Sequence, residues 1–182
     1  MNRSKLPIRD ICFISVFVAV IVALSQLAIP LPGGVPMTLQ TFVIPLAGAV
    51  LGAKKGAIAA FAYILLGAVG LPVFAGFRGG IPSILGPWGG YILSFPFMAL
   101  IVGFAADKKN LIWLGAGLIA GSVLNLSMGT LQFAFIMGYT VQAAFLIGFA
   151  PFILIELLKM GLVFIIAPRV RKQLTGQIAE SR

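Results

Sequence analysis

Glu156 and Lys159 lie three residues apart in an otherwise apolar run of the chain. That spacing puts both side chains on one face of a helix, where each can neutralise the other. Charges inside a membrane-crossing helix cost several kcal/mol or must be paired, so they point to function by default. Two readings stay open. The pair is an internal ion bridge that fixes packing, or it is a polar wall that accepts and donates hydrogen bonds to a ligand carrying both kinds of group. Hydrocarbon substitutes would hold a bundle together at lower cost, which favours the second.

A second candidate is the stretch Gly70-Leu71-Pro72-Val73-Phe74-Ala75-Gly76-Phe77-Arg78-Gly79-Gly80, followed by Leu85-Gly86-Pro87-Trp88-Gly89-Gly90-Tyr91. Glycines let backbone approach a ligand closely and expose bare amides, while aromatic rings supply apolar walls. Arg78 is suited to an anionic ligand group, although a lone loop arginine is also commonly just solvated. Lesser polar candidates are Thr38, Gln40 and Thr41, and farther along Asn125, Ser127 and Gln132; residues of these types usually satisfy backbone or neighbouring helices.

The same inventory argues against catalysis. The chain has no histidine and a single cysteine, Cys12, which removes the usual general base and any multi-cysteine metal site. Of the four acids, Asp10, Asp107, Glu156 and Glu180, only Glu156 lies deep in an apolar run, so no carboxylate dyad is expected there. The G-x-x-x-x-G-K-[ST] order of a nucleotide-binding loop is absent, and no charge ring or filter motif of an ion channel is visible. Neither a cofactor nor a metal is expected.

The elements that carry these residues follow from composition. Of 182 residues, 60% are hydrophobic and 9% charged, with mean hydropathy +1.12. A soluble domain carries about 25% charged residues, so the outer surface of this chain must face lipid. Six apolar segments are expected, at about 11–29, 37–51, 56–71, 88–106, 111–137 and 141–167, forming one all-α transmembrane domain over 1–182. The second and third are short for a full crossing, which implies tilt, kinking at Pro45 or local thinning. The first has the basic start of a signal peptide, but Gln26-Leu27-Ala28 is a poor cleavage site, so an uncleaved helix is the better reading. Pro30-Leu31-Pro32-Gly33-Gly34 ends it, and Pro168 opens a basic tail read as a surface-bound or frayed helix.

Net charge is +9. The basic residues form short clusters between apolar runs, a pattern of membrane orientation and not of a nucleic-acid surface. With both termini cytoplasmic and the segments alternating, the inner ends carry Arg3, Lys5, Arg9, Lys54, Lys55, Lys108, Lys109, Arg169, Arg171, Lys172 and Arg182. Arg78 falls outside and Lys159 within the membrane. This asymmetry fits the positive-inside rule with six crossings. Small residues at four-residue spacing mark helix contacts: Ser15, Ala19 and Ala23 on the first segment, and Gly117 and Gly121, with Gly115 and Ala120 nearby, on the fifth. Packing within the bundle and docking of another subunit both account for them.

The stretch Val35-Pro36-Met37-Thr38-Leu39-Gln40-Thr41-Phe42, then Leu46-Ala47-Gly48, resembles the BioY family of biotin-capturing S components of energy-coupling factor transporters. The likeness continues through Leu66-Gly67-Ala68-Val69-Gly70-Leu71-Pro72-Val73-Phe74-Ala75-Gly76, through Leu85 to Tyr91, and to the Glu156–Lys159 pair. The resemblance implies a prokaryotic plasma-membrane protein of six helices with a biotin pocket near the outer face. Its binding residues would be Glu156, Lys159, Arg78, Phe74, Ala75, Gly76, Gly79, Gly80, Trp88, Tyr91 and Gln40. The ureido ring, with two N–H donors and a carbonyl, suits Glu156 and Lys159; Phe74, Trp88 and Tyr91 suit the bicyclic body and valeryl chain, and Arg78 or loop amides the carboxylate. Arg78 and Trp88 stand where smaller residues, such as serine and threonine, are expected in relatives. The small face at Ser15, Ala19 and Ala23 resembles the docking surface for a transmembrane coupling subunit, which works with two ATP-binding cassette ATPases. An S component for another vitamin and a lipid-modifying membrane enzyme are the alternatives.

Overall fold

A computed structural model describes residues 7–29 and 35–180, with side chains as far as Leu174. The chain is a helical bundle: α1 (Ile8–Ser25), α2 (Gln40–Leu51), α3 (Ala53–Ala68), α4 (Ile81–Leu85), α5 (Gly89–Asp107), α6 (Leu111–Met137), α7 (Val141–Gly148) and α8 (Ile153–Glu180). Four helical stretches are long and apolar enough to cross a bilayer: Ile8–Ser25, Gly89–Asp107, Leu111–Met137 and Val141–Leu174. The 12 residues of α2 and 16 of α3 reach about 18 and 24 Å at 1.5 Å per residue, short of a hydrocarbon core of about 30 Å. Large apolar side chains point outward around the bundle, Phe61, Phe97, Phe104 and Phe135 among them, as a lipid-facing surface requires.

α5 is the central helix, packed against α2, α3 and α6. Missing side chains allow this. A Cβ on Gly48 of α2 would run into the Ala99 carbonyl of α5, and one on Gly103 of α5 would meet the backbone of Ala53. Gly117 and Gly121 of α6 lie against Ala105 and against Val102 and Met98 of α5, so that small-residue face serves packing inside the bundle. Ser15, Ala19 and Ala23 lie on the exposed side of α1.

Local chemistry sets several boundaries. Asn110 caps α6 by accepting from the Ile112 N–H at 2.8 Å, and Gly138 ends it in the left-handed region at φ 69°. Thr140 caps α7. Other boundaries correct the sequence expectation. The first helix stops at Ser25, and Ala28–Ile29 (β1) pairs antiparallel with Met37–Thr38 (β2); Pro30 to Gly34, expected to end the first helix, lie outside the described residues. The glycine-rich loop contains α4. The apolar run 141–167 is two helices, broken at Phe149 by a 3-10 turn over Ala150–Phe152, because Pro151 cannot continue the ladder of hydrogen bonds. Pro168, by contrast, stops nothing: α8 continues through it to Glu180, since packing in a bundle lets a helix absorb a proline. Arg3, Lys5 and Arg182 are outside the described residues.

Two ion pairs lie at one end. Lys55 of α3 bonds Asp10 of α1 at 2.6 Å. Arg171 of α8 bonds Asp107 at the end of α5 at 2.5 Å and donates to the Ala49 carbonyl of α2 at 3.2 Å. The glycine-rich loop and the β1–β2 pair lie at the opposite end, with Arg78.

Candidate functional site

At the loop end a cavity of about 330 Å³ opens between the starts of α2 and α5, the middle of α6 and the first turns of α8. That is within the range of small-molecule sites, about 300–1,000 Å³. The break at Pro151 determines what it contains. It lets Phe152 face the cavity and brings Glu156, one helical turn later, and Lys159 onto the same wall.

The polar wall is a three-residue cluster. Lys159 Nζ donates to Glu156 Oε1 at 2.9 Å and to Thr41 Oγ1 at 2.8 Å, and Thr41 Oγ1 donates to the same Glu156 oxygen at 2.5 Å. Glu156 and Lys159 are 3% and 6% exposed, so water screens their attraction little. The other carboxylate oxygen, Glu156 Oε2, is buried without a hydrogen-bond partner among the described residues. A buried carboxylate oxygen left unpaired is costly, so this atom keeps unused acceptor capacity in a residue that lines the cavity.

Apolar walls face that cluster. The Phe74 ring is 2% exposed and packs edge-on against Tyr63 at 5.5 Å. It fits only because residue 67 is glycine, since a Cβ there would overlap the ring. Gly129 does the same for the Tyr91 ring, whose hydroxyl is held by the Gly148 carbonyl at 2.8 Å. At the mouth the Arg78 guanidinium lies over the Trp88 ring, 4.1 Å from its centroid, in a cation–π contact.

The loop that carries Phe74 and Arg78 is tied down at several points. Phe74 and Arg78 form an isolated antiparallel bridge that forces a tight turn through Gly76, at φ 71°, and Phe77, at φ 58°. The left-handed region is natural for glycine and strained for phenylalanine. Gln26 at the end of α1 holds this turn, accepting from the Phe77 N–H at 2.9 Å and donating to the Val73 carbonyl at 3.0 Å. Tyr63 donates to the same Val73 carbonyl and accepts from Gln40 Nε2 at 2.7 Å.

Of the residues expected at the site, Glu156, Lys159, Gln40, Phe74, Ala75, Gly76, Arg78, Trp88 and Tyr91 line this cavity. Gly79 and Gly80 do not; they shape the loop. A Cβ on Gly79 would strike the Leu71 carbonyl, and the Gly80 N–H donates to the Gly67 carbonyl at 2.6 Å. Gln40 borders the cavity, but its side chain is held between Thr38 and Tyr63, so it positions the loop. Among the lesser candidates, Thr38, Thr41 and Asn125 line the cavity and Ser127 does not. Asn125 donates to the Tyr91 carbonyl at 2.9 Å and to Ser94 at 2.6 Å, and Gln132 ties α6 to the carbonyls of Ile84 and Gly86. Sequence reading missed Gln26 and Tyr63, and also Phe95, Leu126 and Phe152 on the apolar wall. Pro151 was the one available signal for the last.

Comparison with known proteins gives a consistent picture. The chain is 39% identical over 165 residues to the biotin transporter BioY of Thermotoga maritima, covering 90% of this chain and 96% of that protein. It is 39% identical over 163 residues to the probable biotin transporter BioY of Pyrococcus horikoshii, again covering 90% and 96%. Its fold matches a crystal structure of the S-component for biotin from an ECF-type ABC transporter, with TM-score 0.84, 29% identity, and coverage of 94% of this chain and 95% of that one. The family model described as the BioY family matches residues 1–176, and the chain belongs to that family.

Proposed function

We propose that this protein captures biotin at the outer face in the cavity between α8 and the glycine-rich loop, and delivers it inward with an ATP-driven coupling module. The chain is a multi-pass cell membrane protein, and its relatives are transporter components, not enzymes. The observation that carries the binding reading is Glu156 Oε2, a buried acceptor without a partner among the described residues, beside a lysine donor. A ureido ring offers the complement, N–H donors for the carboxylate and a carbonyl for Lys159. Phe74 and Tyr91 suit the bicyclic body, and the Arg78–Trp88 mouth suits the valeryl carboxylate.

The energy-coupling reading rests on the absence of a nucleotide-binding motif and on the exposed Ser15, Ala19 and Ala23 face of α1, where a helix of a transmembrane coupling subunit could approach closely. Two assays test the proposal. Calorimetric titration of biotin into the detergent-purified protein should show one-to-one binding; no heat from folded protein would overturn the biotin assignment. In vesicles containing the coupling subunit and the two ATPases, Ala19→Leu with Ala23→Leu should abolish ATP-dependent uptake and leave binding intact. Uptake at the wild-type rate would remove α1 from the docking role.

A further inference from the structure

A second pocket, of about 410 Å³, opens at the charged end between the α5–α6 turn and α8. Its ionisable lining is entirely basic among the described residues: Lys109 from the turn, and Arg171 and Lys172 from α8. Leu111, Leu114 and Ala167 form its apolar side. The nearest acid, Asp107, is engaged by Arg171 and does not line the pocket. The positive end of α6 begins beside it, at Asn110 and Leu111, and adds to the attraction for an anion. Lys109 sits in the left-handed region at φ 54°, unusual for a residue other than glycine or asparagine.

The surroundings indicate what kind of anion. Leu111, Ile112 and Trp113 on the first turn of α6 are 55%, 81% and 56% exposed. An outward tryptophan at the end of an apolar helix marks the membrane–water boundary. That boundary would put the pocket at headgroup depth, with its cations toward water and the exposed Leu111 toward hydrocarbon. We propose that it holds the phosphate headgroup of an anionic phospholipid, with Lys109, Arg171 and Lys172 on the phosphate and the acyl chains leaving past the exposed Leu111. Basic pockets between helices recognise lipid headgroups in this way. Its occupant would fix α8 against the α5–α6 turn.

Native mass spectrometry of the full chain in detergent, titrated with phosphatidylglycerol or phosphatidylcholine, tests this. The wild type should show one saturable phosphatidylglycerol adduct per chain and little phosphatidylcholine. Lys109→Gln with Lys172→Gln should weaken that adduct by about tenfold or more, from the loss of two surface charges, at unchanged helical content. If the double variant fails to fold, Lys109→Gln alone, on an exposed turn, should give a smaller loss in the same direction. Equal binding by variant and wild type, or equal binding of the two lipids, would overturn the proposal. Displacement of the lipid by an equal concentration of inorganic phosphate would reassign the pocket to free anions. An unchanged adduct together with loss of coupling-subunit binding in the variant would reassign the cations to a protein partner.

Discussion

Thr41 closes a triangle that neither charge could complete alone. Its hydroxyl accepts from Lys159 and donates to Glu156, and Glu156 Oε2 keeps no hydrogen-bond partner among the described residues. Glu156→Gln removes a charged acceptor and leaves Lys159 without its counter-charge. Biotin binding should weaken by roughly 10- to 100-fold, the equivalent of about 1.5–3 kcal/mol for a hydrogen bond to a charged group, as read by titration calorimetry. Thr41→Val keeps the shape and removes only the bridge, so a smaller loss of roughly fivefold is expected, near 1 kcal/mol for one hydrogen bond. Equal affinity in both variants and the wild type would separate the cluster from the ligand. The acid–lysine pair was legible in the sequence because its geometry is local, three residues on one helix. Thr41 was named only as a minor candidate, because its partners lie more than a hundred positions away and only the fold brings them together.

At the scale of elements, the loop is held as much by what is missing as by what is present. Gly67 leaves room for the Phe74 ring, and Gln26 and Tyr63 hold the Val73 carbonyl from two helices. Gly67→Val should push Phe74 out of its place. Overpacking of this kind typically costs about 1–3 kcal/mol, so a lower melting temperature and weaker biotin binding are expected together; an unchanged melt and affinity would show that the ring has room to spare. The ends of α6 match the expected apolar segment 111–137, and Asn110 and Gly138 cap it there. The β1–β2 pairing could not, because two-residue strands carry no periodicity. Pro151 and Pro168 show the limit of local rules: the same residue type breaks one helix and is absorbed by the next, and the packing around each decides which.

For the whole molecule, the hydrophobic excess made the helical bundle legible, and the Lys55–Asp10 and Arg171–Asp107 ion pairs lie at one end of it. Length supports four crossings; the six expected from the sequence would require the short α2 and α3 to cross as well. In a Cys12→Ser background, Arg78→Cys should react with an impermeant maleimide in intact cells, and Lys108→Cys only after permeabilisation. Labelling of both from the same side would contradict the six-crossing topology.

A structure of the protein with biotin bound is the most direct test of the proposed binding mode. The expected result places a ureido N–H within about 3 Å of Glu156 Oε2, the ureido carbonyl toward Lys159 and the ring between Phe74 and Tyr91. A complex with the carboxylate against Lys159 and the ureido ring at the Arg78–Trp88 mouth, leaving Glu156 Oε2 unpaired, would contradict it.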